Sequence, residues 1–133
     1  MVDSGVPKKL RIKTGQRALI LNAPEGYFEG FSALLEDVQI HQAATGEYEF
    51  VQVFVVNSDE LEELVPTALD AVVFDGLLWV SYPKGSSGVE TDLNRDILWG
   101  KLLSKGIRPV TQVSIDKVWS AIRFRPTDQV GKK

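Results

Sequence analysis

The residues whose types and spacing come nearest to chemistry are Lys84-Gly85-Ser86-Ser87-Gly88, a basic, glycine- and serine-rich loop just before an expected helix. Glycines free backbone N–H groups to point at an anion, and a helix start favours negative charge, so the stretch invites a phosphate-loop reading. The spacing argues against it, because a Walker-type loop places its lysine after the glycines. Glu90 and Asp92 at the helix start would each oppose a bound anion by about 0.3–1 kcal/mol. A surface loop is the simpler account. For any ligand at this loop, Lys84 and Ser86 are the first contacts.

Arg123 and Arg125 stand two apart on an expected strand and share a face, with Ile122 and Phe124 on the other. With Arg95 and Arg108 they form a candidate basic patch for an anionic metabolite. The competing reading pairs them with acidic residues of the middle segment or with Asp92 and Asp96. Asn22, Glu25 and Tyr27 follow the first expected core strand, and Asn57 follows the third; turn and cap roles are the simpler account of these. His41 has the pKa of a general base but no visible nucleophile beside it. No Gly-x-Ser-x-Gly elbow or paired-carboxylate pattern supports a hydrolase.

Composition narrows the classes further. The 133 residues hold no cysteine and one histidine, which excludes disulfides, thiolate chemistry and cysteine zinc sites, and no metal is expected. Residues 18–83 contain no Lys or Arg, while the bases lie toward the two ends. At a net charge of -3 and a pI of about 5.2, acidic helices meeting basic ends within the fold is a simpler reading than nucleic-acid binding. No apolar signal segment and no membrane-length apolar run are visible, so the sequence reads as cytoplasmic and without a membrane partner.

These residues must be positioned by a succession of strands and helices. Residues 1–13 read as a polar lead-in and 127–133 as a frayed tail of a single domain spanning 1–133. Residues 17–21 (Arg-Ala-Leu-Ile-Leu) form a nearly continuous apolar run, typical of a strand covered on both faces. Pro24 suits the first position of a helix carrying Tyr27, Phe31, Leu34 and Leu35. A short strand over 38–41 and a polar loop over 43–47 follow. Residues 50–56 are the clearest strand, with Gln52 its one polar residue. Asn57, Ser58 and Asp59 offer helix caps, and Leu61, Leu64, Val65, Ala68, Leu69 and Val72 form a helical stripe in which Pro66 predicts a kink or two short helices. Asp75-Gly76 closes that segment. Then come a strand over 77–82, a loop over 83–90, a helix over 92–104 capped by Thr91, and a hairpin of strands 107–115 and 118–125. Trp79 and Trp119 are core candidates. Trp99 lies on a helix with a broader apolar face than one sheet covers, which predicts self-association there.

The alternation predicts an α/β fold, a single three-layer domain with a mostly parallel sheet and an antiparallel C-terminal hairpin. Strand 50–56, the acidic helix, Asp75 to Lys84, the next helix and the hairpin together resemble the second half of a Rossmann-like methyltransferase domain that uses S-adenosylmethionine. Most of the chain also resembles a family of small uncharacterised bacterial proteins, through Leu21 to Tyr27, Trp79 to Gly85, Asp92 to Asp96 and Trp119 to Arg125. Where the methyltransferases carry a Gly-x-Gly turn and a ribose-binding acid, this chain has Asn22-Ala23-Pro24-Glu25-Gly26 and Ile40-His41-Gln42. The resemblance then implies a vestigial, non-catalytic module with no cofactor, acting by self-association or by binding a protein or a small anionic ligand. The alternative it leaves open is a small S-adenosylmethionine-binding protein or enzyme that uses the groove at the strand ends.

Overall fold

Phe50, Val51, Gln52, Val53 and Phe54 are all fully buried, and this apolar run forms the middle of the sheet. In a computed structural model that describes residues 3–129, the run lies in β3 (Tyr48–Phe54). It pairs in parallel with β1 (Arg17–Leu21) on one side and β4 (Val72–Pro83) on the other, with Val51 opposite both Leu19 and Leu78. β2 (Gln39–His41) extends the parallel sheet beyond β1. The hairpin of β5 (Ile107–Ser114) and β6 (Trp119–Pro126) joins antiparallel to β4 through β6. The resulting order is β2-β1-β3-β4-β6-β5. The expected α/β fold with its antiparallel C-terminal hairpin is therefore the one observed.

Alternation along the strands divides the core into two layers. On one face Leu19, Val51, Val53, Leu78, Val80 and Ile122 pack under α3 (Ser58–Ala71) and α4 (Arg95–Leu103). On the other, Ala18, Ile20, Phe50, Phe54 and Trp79 pack under α1 (Val6–Lys9) and α2 (Tyr27–Ala33). Gln52, on this second face, would be costly to bury alone. Its amide accepts from the Tyr27 hydroxyl at 2.8 Å and donates to Ser81 Oγ at 3.1 Å.

Several expectations need correcting. The lead-in contains α1, whose Val6 and the following Leu10 are completely buried, and the Trp79 indole N–H donates to the Leu10 carbonyl at 2.9 Å. The helix after β1 begins at Tyr27 with Gly26 as a left-handed cap (φ 81°), which leaves Pro24 in the preceding turn. Pro66 neither splits nor ends α3; it is exposed, as is Glu62, whose carbonyl loses the N–H that any other residue at 66 would offer. Val72 has turned extended (φ -77°, ψ 135°) and opens β4 rather than completing the helical stripe. Asp75-Gly76 falls inside that strand: β3 advances from Tyr48 to Phe50 while β4 advances from Val72 to Leu77, so the intervening residues bulge from the ladder. Finally, α4 starts three residues later than expected, with Asn94 as its cap accepting from the Ile97 N–H at 2.9 Å. Of the tail, Thr127–Gln129 form a 3-10 turn, and 130–133, like residues 1–2, lie outside the described residues.

Among the described residues no helix is long and apolar enough to cross a membrane.

Candidate functional site

Between β1 and β3 the direction of winding reverses, since the chain moves outward to β2 from one and to β4 from the other. α2 leaves β1 toward one face and α3 leaves β3 toward the other, which opens a crevice at the carboxyl ends of these two strands. Asn22 and Asn57 stand on its two sides. Asn22 takes a left-handed backbone conformation (φ 60°), which a short polar side chain tolerates better than most. Its side-chain amide donates across the crevice to the Phe54 carbonyl at 2.8 Å and to Glu60 Oε1 at 3.2 Å. Asn57 caps α3, accepting from the Glu60 N–H at 2.9 Å, and Glu60 Oε1 accepts from the Val56 N–H at 2.8 Å.

Two open clefts flank this polar bridge. One of about 410 Å³ is lined by Asn57, Glu90, Thr91 and Asp92. There the Thr91 hydroxyl donates to the Val56 carbonyl and accepts from the Leu93 N–H, tying the loop before α4 to the end of β3 instead of capping the helix. Asp92 accepts from the Ser58 N–H at 2.9 Å, and hydrogen bonding from Ser58, by its side chain first and then its backbone, holds the Asp92 carboxyl below the usual carboxylate range. The other cleft, of about 230 Å³, runs beside Glu25, Tyr27, Asp116 and Trp119. The Tyr27 ring stacks edge-on against Phe54, and burial pushes its phenol well above the ordinary value, so its hydroxyl serves as a neutral donor to Gln52. Asp116 is occupied in accepting from the Val118 and Trp119 N–H groups, both at 2.8 Å.

The structure thus gathers Asn22, Glu25, Tyr27 and Asn57 along one edge. Lys84 lies at the same edge, at the end of β4, but its ammonium donates to Ser114 Oγ at 2.6 Å, turned toward the hairpin. Ser86 sits in an exposed 3-10 turn next to it. Arg95 is elsewhere, on α4, lining a small cleft with Trp99 and Gln112 of β5. Arg123 and Arg125 point away from the crevice, toward the amino ends of the parallel strands. There Arg125 forms a two-pronged pair with Asp75, at 2.8 Å and 2.7 Å. His41 is bonded to the Tyr48 hydroxyl at 2.6 Å, at the end of the outermost strand.

Glu60 and Thr91 complete the crevice and were not among the expected site residues. A Glu three residues after an Asn cap is an ordinary helix-start pattern, and Thr91 imitates a cap. Their reach across to β3 depends on a strand register that local sequence does not encode. Among the described residues no group of three or more His, Asp or Glu side chains is placed to hold a metal ion.

No protein-family model matches the sequence, and no curated protein is similar to it at a significant level. Solved structures do match. The complex of DhpI with S-adenosylhomocysteine (SAH) superposes with a TM-score of 0.57 over 83% of this chain and 76% of its own, at 14% identity. The N-methyltransferase NodS from Bradyrhizobium japonicum WM9, also with S-adenosylhomocysteine, gives 0.54 over 92% and 83%, at 10% identity. The glycopeptide N-methyltransferase MtfA complexed with sinefungin gives 0.57 over 91% and 84%, at 10% identity. Likeness over this much of the chain, together with the strand order and the two helical layers, shows that the fold is Rossmann-like and of the methyltransferase type.

Proposed function

We propose that the chain binds an adenosyl ligand of the S-adenosylmethionine type in the crevice between Asn22 and Asn57. The observation that carries this reading is the switch in winding between β1 and β3, where open α/β sheets bind their ligands. Structural neighbours were solved with S-adenosylhomocysteine or sinefungin, which favours this reading over a module without a cofactor. The charge of the rim fits as well. Glu25, Glu60, Glu90 and Asp92 border the crevice and its clefts, and Lys84 is engaged with Ser114. Such a rim suits a sulfonium-bearing ligand and repels phosphates. On this reading Asn22 Oδ1 and Asn57 Nδ2, the amide atoms not used in the bridge and the cap, supply hydrogen bonds to the ligand.

The test is a thermal-shift and calorimetric titration with S-adenosylmethionine, S-adenosylhomocysteine and sinefungin. A ligand at a hundred times its Kd stabilises by about 2.7 kcal/mol, an easily measured shift. Stabilisation by the adenosyl ligands, weakened in Asn22→Lys, is the expected result. Absence of a shift with all three ligands ends the proposal.

Self-association through α4 is a second reading, favoured by Ile97, Trp99 and Leu103, which are 37%, 40% and 40% exposed on one helix.

A further inference from the structure

We infer that the amino edge of the sheet, across the molecule from the adenosyl crevice, carries a separate site for a phosphate-bearing ligand of mononucleotide size. An open cleft of about 360 Å³ lies there, between the bulge of β4 and the segment that follows α1, with Arg11, Lys13, Arg123, Phe74, Glu49 and Asp75 in its walls. Its volume falls in the range of small-ligand pockets, roughly 300–1,000 Å³.

The charges in this cleft are unequally matched. Both acids are already engaged: Asp75 by the two-pronged pair with Arg125, and Glu49 by accepting the Arg17 backbone N–H at 2.7 Å. Arg123 is the side chain left over. Its Nε is buried and has no hydrogen-bond partner among the described residues, and the same is true of Arg108 Nε, whose residue lies opposite Arg125 in the hairpin. Buried donors are nearly always paired, so an orphaned guanidinium N–H marks a missing acceptor. Burial, and then the like charges of Arg11 and Arg125, hold the Arg123 pKa below its ordinary value, with Asp75 opposing them. A dianionic phosphate in the cleft would relieve the repulsion among Arg11, Arg123 and Arg125, and a guanidinium fork fits its geometry. Arg11 is also held with φ 66°, an unfavourable conformation for a residue of its kind.

The aromatic wall narrows the class. Phe74 is 74% exposed on the bulge, the most exposed large apolar side chain described. An exposed ring beside a phosphate-sized basic pocket offers a stacking face for a flat base. A nucleoside monophosphate combines both features. The site lies at the opposite ends of the strands from Asn22 and Asn57, so it stands or falls independently of the adenosyl proposal.

The experiment is isothermal titration of the full chain with AMP, adenosine and inorganic phosphate, repeated with S-adenosylhomocysteine in excess. AMP is expected to bind at least about tenfold more tightly than adenosine, with phosphate weaker but competing. Arg123→Met is expected to weaken AMP by about tenfold, and the exposed-surface variant Lys13→Ala by a smaller factor in a protein that keeps its fold. Phe74→Ala is expected to weaken AMP while leaving phosphate unchanged. The inference is overturned if AMP shows no binding at millimolar concentration, if Arg123→Met and Lys13→Ala both leave AMP binding intact, or if S-adenosylhomocysteine displaces AMP. Binding of a short single strand in the absence of AMP binding overturns it too.

Discussion

Asp75 sits in a left-handed conformation (φ 57°) within a strand, with its carboxylate gripped by Nε and Nη2 of Arg125. That hydrogen-bonded pair holds the carboxyl below its usual range. A folded-state value below the unfolded one means that the pair stabilises the protein above the ordinary carboxylate range, and that the contribution is lost as pH falls through the folded value. In Asp75→Asn the urea midpoint should therefore drop at neutral pH and converge with that of the unaltered protein in acid. Gly76, beside it, is required by space. A Cβ there would lie 2.9 Å from Val72 Cγ2 and 3.1 Å from the Glu49 carbonyl oxygen, and the latter, being backbone, cannot swing aside. Gly76→Ala is expected to lower stability by about 1–3 kcal/mol in chemical denaturation. From the sequence the Asp-Gly pair reads as the turn that closes the preceding helical segment. Its position inside a strand is not legible there, because a tight turn and a bulge draw on the same residues for the same conformational reason.

At the scale of elements, the central strands were legible because their apolar residues run almost without interruption, as in 50–54, and such runs have few alternatives. Boundaries failed where two residues offered the same local chemistry. Thr91 and Asn94 are both good caps, and the choice fell to Asn94 only because the Thr91 hydroxyl is drawn to the end of β3. Val6 and Leu10, set among lysines, are a single pair at helical spacing, too short a pattern to announce a buried helix, and they pack in the same cluster as Trp79 and Ile115. The candidate site was half legible for the same reason: strand ends predict an edge, but bridges such as Asn22 to Glu60 join residues 38 apart. Pro66 offers a direct test of how α3 is held. It lies exposed in the middle of a continuous helix whose buried stripe is Leu61, Val65 and Ala68, so packing and not local preference maintains the turn around it. Pro66→Ala restores an N–H for the Glu62 carbonyl and should raise stability by about 1–3 kcal/mol, read as a higher melting temperature.

For the molecule as a whole, the split between an acidic middle and basic ends is bridged at two ion pairs among the described residues and leaves Arg11, Lys13 and Arg123 together at the amino edge of the sheet. Arg125 meets Asp75, Lys105 meets Glu62 at 3.6 Å, and the Arg17 guanidinium stacks 4.5 Å over the Tyr48 ring. Besides Phe74, the fold leaves uncovered the apolar side of α4 next to β5, one of the two edge strands of the sheet. If copies associate there, light scattering will show a mass above that of the single chain at high concentration, and Trp99→Lys will return it to the monomer. A monomer at every concentration removes that reading and leaves the ligand proposals untouched.

The bond from the Trp79 indole to the Leu10 carbonyl has a consequence in time as well as in space. It joins residues 69 apart, and the strand that bears the indole is itself completed only when β6 pairs with it from the far end of the chain. During synthesis α1 emerges ahead of β4 and the hairpin, whose Trp79, Ile115 and Ala121 belong to the same core cluster as Val6 and Leu10. Native burial of Val6 and Leu10 therefore waits on residues made much later, so α1 is expected to be among the late elements of the fold to settle.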